Sequence, residues 1–205
     1  MNMKQFDTDK YEHGFIDIYE PYFNNSKDVK HVLEIGVYHG GSLKYLSSKF
    51  PEAKIYGIDI EDKTIYNTEN VKTYIVNQEN REELHKFLQE TNVEFDIIID
   101  DGGHTMKQQQ VSLGVLFGKL KKGGLYILED LHTSRLEQFG TIHKDDLITS
   151  LDMLYTIQYT NNVISNHMTE EEKIHLKNNV ENIRIWTRTP EYNQSVTSII
   201  KKKVM

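Results

Sequence analysis

The chain contains no cysteine in 205 residues, only three prolines and a single tryptophan. Without cysteine there is no disulfide framework and no thiolate metal site, so any metal must take oxygen or imidazole ligands, and a reducing cytosol is the matching compartment. There is no Pro- or Gly-rich boundary, internal repeat or low-complexity linker. No window approaches the roughly 18 apolar residues that a bilayer-spanning helix needs. The opening Met1-Asn-Met-Lys-Gln-Phe-Asp7 lacks the apolar stretch of a secretory signal. The expectation is a soluble cytoplasmic protein with no membrane span, in which the Asn-x-Ser triplets at Asn24 and Asn193 are chance matches. An excess of cationic residues is missing too. A formal charge of −7 disfavours binding along a nucleic-acid backbone, and the Lys201-Lys-Lys203 tail is too short to change that.

What is present is enough apolar residue, 38% of the chain, for one good core. That points to a single domain over residues 1–205, with 1–28 as an amino-terminal helical lid segment. Apolar runs bounded by turn residues recur at Val32 to Ile35, Ile55 to Ile60, Val71 to Val76, Phe95 to Ile99 and Leu125 to Leu128. They read as strands buried on both faces. Helical spacing fills the gaps at Ser42 to Phe50, Glu82 to Glu90 and Thr105 to Leu120, and strand alternating with helix implies a parallel sheet. Beyond these, Asp145 to Tyr159 has the pattern of a longer amphipathic helix, and Thr169-Glu-Glu-Glu172 that of a capping box. Ile183 to Trp186 and Val196 to Ile200, joined by Arg188 to Asn193, suit a terminal antiparallel hairpin. The stripe Tyr11, Phe15, Tyr19, Tyr22 is expected to pack over the sheet.

Chemistry concentrates where strands should end. Glu34-Ile-Gly36-Val-Tyr38-His-Gly40-Gly41-Ser42 is a strand, a glycine turn and a helix start, and Asp59 closes the next strand. Backbone approaches a nucleoside at such glycines, and the acid takes ribose hydroxyls. A nicotinamide dinucleotide wants a middle glycine beside its pyrophosphate, and Tyr38 stands there instead. That favours a nucleoside ligand without phosphate, of which S-adenosylmethionine (SAM) is the commonest. Glu34 suits a sulfonium better than a phosphate, and Gln78, beyond the third strand, is placed to face an adenine edge.

Two acidic clusters follow later strands: Asp100-Asp101-Gly-Gly-His104 and Glu129-Asp130. Ligands gather outside the carboxyl ends of parallel strands, so these groups can converge. Asp101, Glu129 and Asp130 are the hard oxygen donors that Mg²⁺ or another divalent cation prefers. His104 is then placed as general base for a hydroxyl acidified by that ion. Asp100 points the other way from Asp101 along the strand and is assigned to the cofactor side. His132 is a reserve candidate for a substrate contact, His39 lies in the cofactor loop, and His13 and His143 sit in polar contexts.

Taken together, Glu34 to Ser42, Asp100 to His104 and Leu128-Glu-Asp-Leu-His-Thr-Ser134 resemble the metal-dependent class I methyltransferases of the macrocin and mycinamicin sugar O-methyltransferase type, with cephalosporin-hydroxylase-like relatives. The opening Thr8-Asp-Lys-Tyr11, with Tyr19 and Tyr22, is similar to their amino-terminal segment, and the resemblance covers about residues 8–135. It implies an α/β, Rossmann-like seven-stranded methyltransferase sheet, mostly parallel with a C-terminal antiparallel hairpin and helices on both faces. It also implies SAM as methyl donor, Mg²⁺ on Asp101, Glu129 and Asp130, and His104 as catalytic base. The expected activity is O-methylation of a sugar or sugar-derived small molecule such as a sugar nucleotide, by a chain that forms homo-oligomers. The rivals are methylation of a phosphoramidate or other non-sugar acceptor, and a SAM-binding protein without catalysis.

Overall fold

The computed structural model describes residues 6–136, 148–187 and 196–204. The five apolar runs form strands β1 (His31–Ile35), β2 (Lys54–Asp59), β3 (Val71–Ile75), β4 (Phe95–Asp100) and β5 (Leu120–Leu128). The carboxyl-terminal runs form β6 (Val180–Thr187) and β7 (Val196–Lys202). One sheet results, in the order β3-β2-β1-β4-β5-β7-β6. β1 to β5 pair in parallel, while β7 is antiparallel to both β5 and β6. This is the expected seven-stranded, mostly parallel sheet with its antiparallel C-terminal pair. The connection from Arg188 to Asn193 and residue His143 lie outside the described residues.

Helices α1 (Phe15–Asn25) and α2 (Gly41–Lys49) cover one face, and α3 (Arg81–Thr91), α4 (Met106–Leu116), α5 (Ser150–Thr160) and α6 (Glu170–Asn179) the other. Because both faces are covered, alternate residues of one strand enter different cores: Val32, Ile97 and Ile99 meet α1 and α2, whereas Leu33 and Ile98 meet α3 and α4. That is why the strands read as unbroken apolar runs. Each such side chain contributes roughly 1.5–3 kcal/mol on burial. The aromatic stripe packs as its spacing suggests, with Phe15 stacked on Tyr19 and Tyr22 edge-on to Trp186.

Three boundaries differ from the sequence pattern. β5 begins at Leu120, because Phe95 pairs with Leu120 and Ile97 with Leu125, leaving Lys121 to Gly124 as a bulge against Asp96. Apolar periodicity cannot reveal a segment that is placed by an acid on the neighbouring strand. α4 stops at Leu116 and continues as a 3₁₀ turn over Phe117–Lys119, where Gly118 weakens the helix before the chain enters β5. α5 starts at Ser150, where the Thr149 side chain accepts the Asp152 N–H, although the amphipathic pattern begins at Asp145, outside the described residues. The expected capping box of α6 forms between Thr169 and Glu172.

Candidate active site

The strand order reverses between β1 and β4, so their carboxyl-terminal loops lie side by side at the switch point where open α/β sheets take ligands. The loops touch through backbone: the Asp101 N–H donates to Ile35 O at 3.0 Å, and the Glu129 N–H to Asp100 O at 3.0 Å. Gly36 makes this contact possible. Its φ is +86°, and a Cβ there would stand 2.0 Å from the Asp101 carbonyl oxygen. The Asp59 carboxylate shapes the turn by accepting the N–H groups of Val37 (2.9 Å), Tyr38 (3.3 Å) and Glu61 (2.9 Å).

Over these loops lies a cavity of about 510 Å³, and Gly36, Tyr38, Asp59, Gln78, Asp101, His104 and Asp130 are among its walls. That volume suits a small-molecule ligand. Of the other proposed cofactor residues, Gly40 caps α2 with φ +70°. Ser42 is buried, its hydroxyl beside the Glu34 carboxylate. Gln78 holds the loop from below, accepting the Gly103 N–H at 2.6 Å and donating to Asp100 Oδ1 at 3.1 Å. Asp100 is buried in a network with Gln78, Ser112 and Tyr126, whose hydroxyl donates at 2.8 Å. Burial pushes its carboxyl up to about 6 against the pull of those three donors. Gly40, Ser42, Asp100 and Glu34 are not among the residues that wall the cavity.

Asp101, His104 and Asp130 offer ligand atoms that all lie within 4.8 Å of one another, each side chain partly exposed. His104 Nε2 stands 3.4 Å from Asp130 Oδ2, and His132 Nδ1 stands 3.7 Å from Asp130 Oδ1. Asp130 reaches this position with a left-handed backbone, φ +52°. The Thr133 hydroxyl ties the two loops together, donating to the carbonyl oxygens of Asp130 (2.7 Å) and His104 (3.1 Å). Glu129 faces the interior and is 0% exposed.

Its partner there is a residue that motif reading passed over. Lys10, 2% exposed, donates to Asp101 Oδ2 and to Glu129 Oε1 (2.8 Å), and lies 3.7 Å from Glu34 Oε1. Three strand ends thus share one ammonium. Burial alone would lower the Lys10 pKa, but Asp101, Glu129 and Glu34 carry it well above its ordinary range. Burial, reinforced by the Asp101 charge, pushes the Glu129 carboxyl well up, and burial lifts Glu34 to about 7 despite Lys10. The signal in the sequence was indirect: several buried carboxylates demand a cation, and the Thr8-Asp-Lys-Tyr11 segment holds one.

The donor set fits a hard divalent cation, being carboxylate oxygens and one imidazole. Asp101, His104 and Asp130 are therefore the residues that would hold such an ion, while Glu129, buried against Lys10, is not part of that group.

This fold and site define a methyltransferase: the chain belongs to the FtsJ-like methyltransferase family, which matches residues 14–144. Within that class it is similar to mycinamicin VI 2''-O-methyltransferase of Micromonospora griseorubida, 35% identical over 136 residues covering 62% of this chain and 34% of that protein. It is also 34% identical, over 69% of this chain and 39% of the relative, to the 8-demethyl-8-alpha-L-rhamnosyl tetracenomycin-C 2'-O-methyltransferase of Streptomyces olivaceus. The MycE methyltransferase of the mycinamycin biosynthetic pathway, solved in complex with Mg, SAH and mycinamycin VI, superposes with a TM-score of 0.71 at 27% identity. That match covers 93% of this chain and 48% of the MycE chain. The chain spans little more than a third of the length of the curated relatives it matches.

Proposed function

We propose that this chain is a SAM-dependent, Mg²⁺-dependent O-methyltransferase that methylates a hydroxyl of a sugar or sugar-derived metabolite, in the tailoring of a polysaccharide or glycoside. The observation that carries the reading is the convergence of Asp101, His104 and Asp130 in the walls of the cavity that Gly36 also lines. The relatives named for methylation of sugar-bearing compounds, and the Mg and SAH in the MycE structure, support it. On this reading residues 1–205 work as one domain with 1–28 as a lid, on a small-molecule acceptor such as a sugar nucleotide, in the cytoplasm and as a homo-oligomer. Among the described residues no helix is long and apolar enough to cross a membrane.

When bound, SAM would supply the methyl group and the divalent ion would orient and acidify the acceptor hydroxyl. The chain's own residues do the rest. The Gly36 turn lets the backbone approach the ligand, and Tyr38 and Gln78 are among the cavity's walls. Asp130, 3.4 Å from His104 Nε2, orients the imidazole. His104 takes the hydroxyl proton on a ring nitrogen as the acceptor oxygen bonds to the methyl carbon and the carbon–sulfur electron pair returns to sulfur. Fixing the two reactants in one cavity removes much of the entropic barrier.

The test is a calorimetric titration with SAM in Mg²⁺ and in EDTA, followed by incubation of labelled SAM with glycosides, sugar nucleotides and non-sugar acceptors. SAM binding together with Mg²⁺-dependent labelling of a sugar supports the proposal. Labelling confined to phosphoramidates or catechol-like diols removes the sugar acceptor. No SAM binding under either condition removes the methyltransferase activity.

A further inference from the structure

Lys10 divides the carboxylates it touches. It takes Oδ2 of Asp101, which also lines the cavity, and Oε1 of Glu129, which faces the interior. Glu34, fully buried behind it, gives the ammonium a third acid that is not among the candidate metal ligands. The backbone holds the lysine in place as well. The Thr8 side chain accepts the Lys10 N–H to cap the turn Asp9–Tyr11. The preceding Asp7 carbonyl lies so close to α2 that a Cβ on Gly41 would stand 1.7 Å from its oxygen.

We propose that Lys10 is a positioning residue that sets which divalent ion the site accepts, by occupying one oxygen of Asp101 so that this carboxylate presents a single oxygen to the cavity. This rests on the metal-dependent reading above and deepens it. Mg²⁺ demands near-octahedral geometry, binds through one or two carboxylates and keeps several waters, whereas Ca²⁺ takes up to about eight oxygens and readily accepts both oxygens of a carboxylate. With Lys10 in place, an Asp101 carboxylate that would serve Ca²⁺ in bidentate fashion is restricted to the monodentate contact that suits Mg²⁺ or Mn²⁺. Glu34, 3.7 Å from the same ammonium, adds a third acid to its surroundings.

The experiment is a Mn²⁺ titration of the full chain and of Lys10→Met, read by electron paramagnetic resonance, with Mg²⁺ and Ca²⁺ as competitors. A crystal structure of the wild-type protein loaded with Mn²⁺ accompanies it. The expected result is that Lys10→Met raises Ca²⁺ affinity relative to Mg²⁺ by about tenfold or more, while the loaded wild type keeps Lys10 Nζ on Asp101 and Glu129. A ratio that moves by less than about twofold, or a lysine swung away from both carboxylates in the loaded structure, overturns the proposal and leaves the metal-dependent reading intact. If Lys10→Met fails to fold, the loaded wild-type structure decides alone. A wild type that binds no Mn²⁺ overturns the metal-dependent reading, and this proposal with it.

Discussion

The same ion pair occurs at the two ends of the sheet with different surroundings. At the carboxyl ends of the strands Lys10 meets Glu129 at 2.8 Å, and at the amino ends Lys121 meets Asp96 at 2.8 Å. The side chains of Lys10 and Glu129 are 2% and 1% exposed, those of Lys121 and Asp96 31% and 18%. The amino end also has the roomier cavity, about 630 Å³, edged by Lys27, Lys121, Lys122, Arg184 and Lys201. Volume and ion-pair distance therefore do not separate a site from a surface. Burial does, because charges taken out of water cost several kcal/mol each and persist only where geometry compensates them, while exposed pairs contribute little.

Removing a charge at each end tests this contrast most directly. Lys10→Met should cost about 3–5 kcal/mol of stability, since it strands buried carboxylates, as read from urea unfolding in EDTA. A loss no larger than that at a surface pair would erase the distinction. At the same end, His104→Ala should lower turnover by about 10²–10⁴-fold, the range for a positioned acid–base group, with SAM affinity by calorimetry unchanged. Full turnover would take the imidazole out of the reaction.

Smaller effects sharpen the picture. Glu34, with its carboxyl lifted from 4.5 to about 7, stays protonated in the folded protein at pH values where the unfolded chain has ionised. Its contribution is thus full below about pH 4.5 and lost as pH rises through about 7, amounting to roughly 3 kcal/mol. Glu34→Gln should flatten that slope in pH-dependent urea melts; an unchanged slope would assign it to other groups. Gly36→Ala forces a side chain into a left-handed position against the Asp101 carbonyl and should cost about 1–3 kcal/mol. Gly118→Ala, where a Cβ meets nothing within 4 Å, is the control that should cost little. Smallest of all, Lys121→Met should change stability by less than about 1 kcal/mol, and a larger loss would show that the amino-end pair is not merely solvated.

Much of this was readable along the chain because its physics is local. Apolar runs between turn residues located the strands, the Thr169–Glu172 capping box located the start of α6, and alternation along β4 separated Asp100 from Asp101, which have different partners in the structure. The β5 bulge was not legible, since Lys121 to Gly124 carry no apolar period and are placed by Asp96 on another strand. Glu34 was visible as a carboxylate inside the glycine motif, but nothing near it in sequence announces that it faces Lys10.

By itself the sequence determined the alternation of strand and helix, the glycine turn and the presence of acids at two strand ends, because hydrophobic period, turn chemistry and strand length act over a few residues. Only the tertiary structure decided which oxygens face the cavity and which face the interior. That outcome depends on the crossing from β1 to β4 and on a lysine brought from the amino-terminal segment to three distant carboxylates. A buried charge selects its partner by proximity in space, and no spacing along the chain encodes that distance.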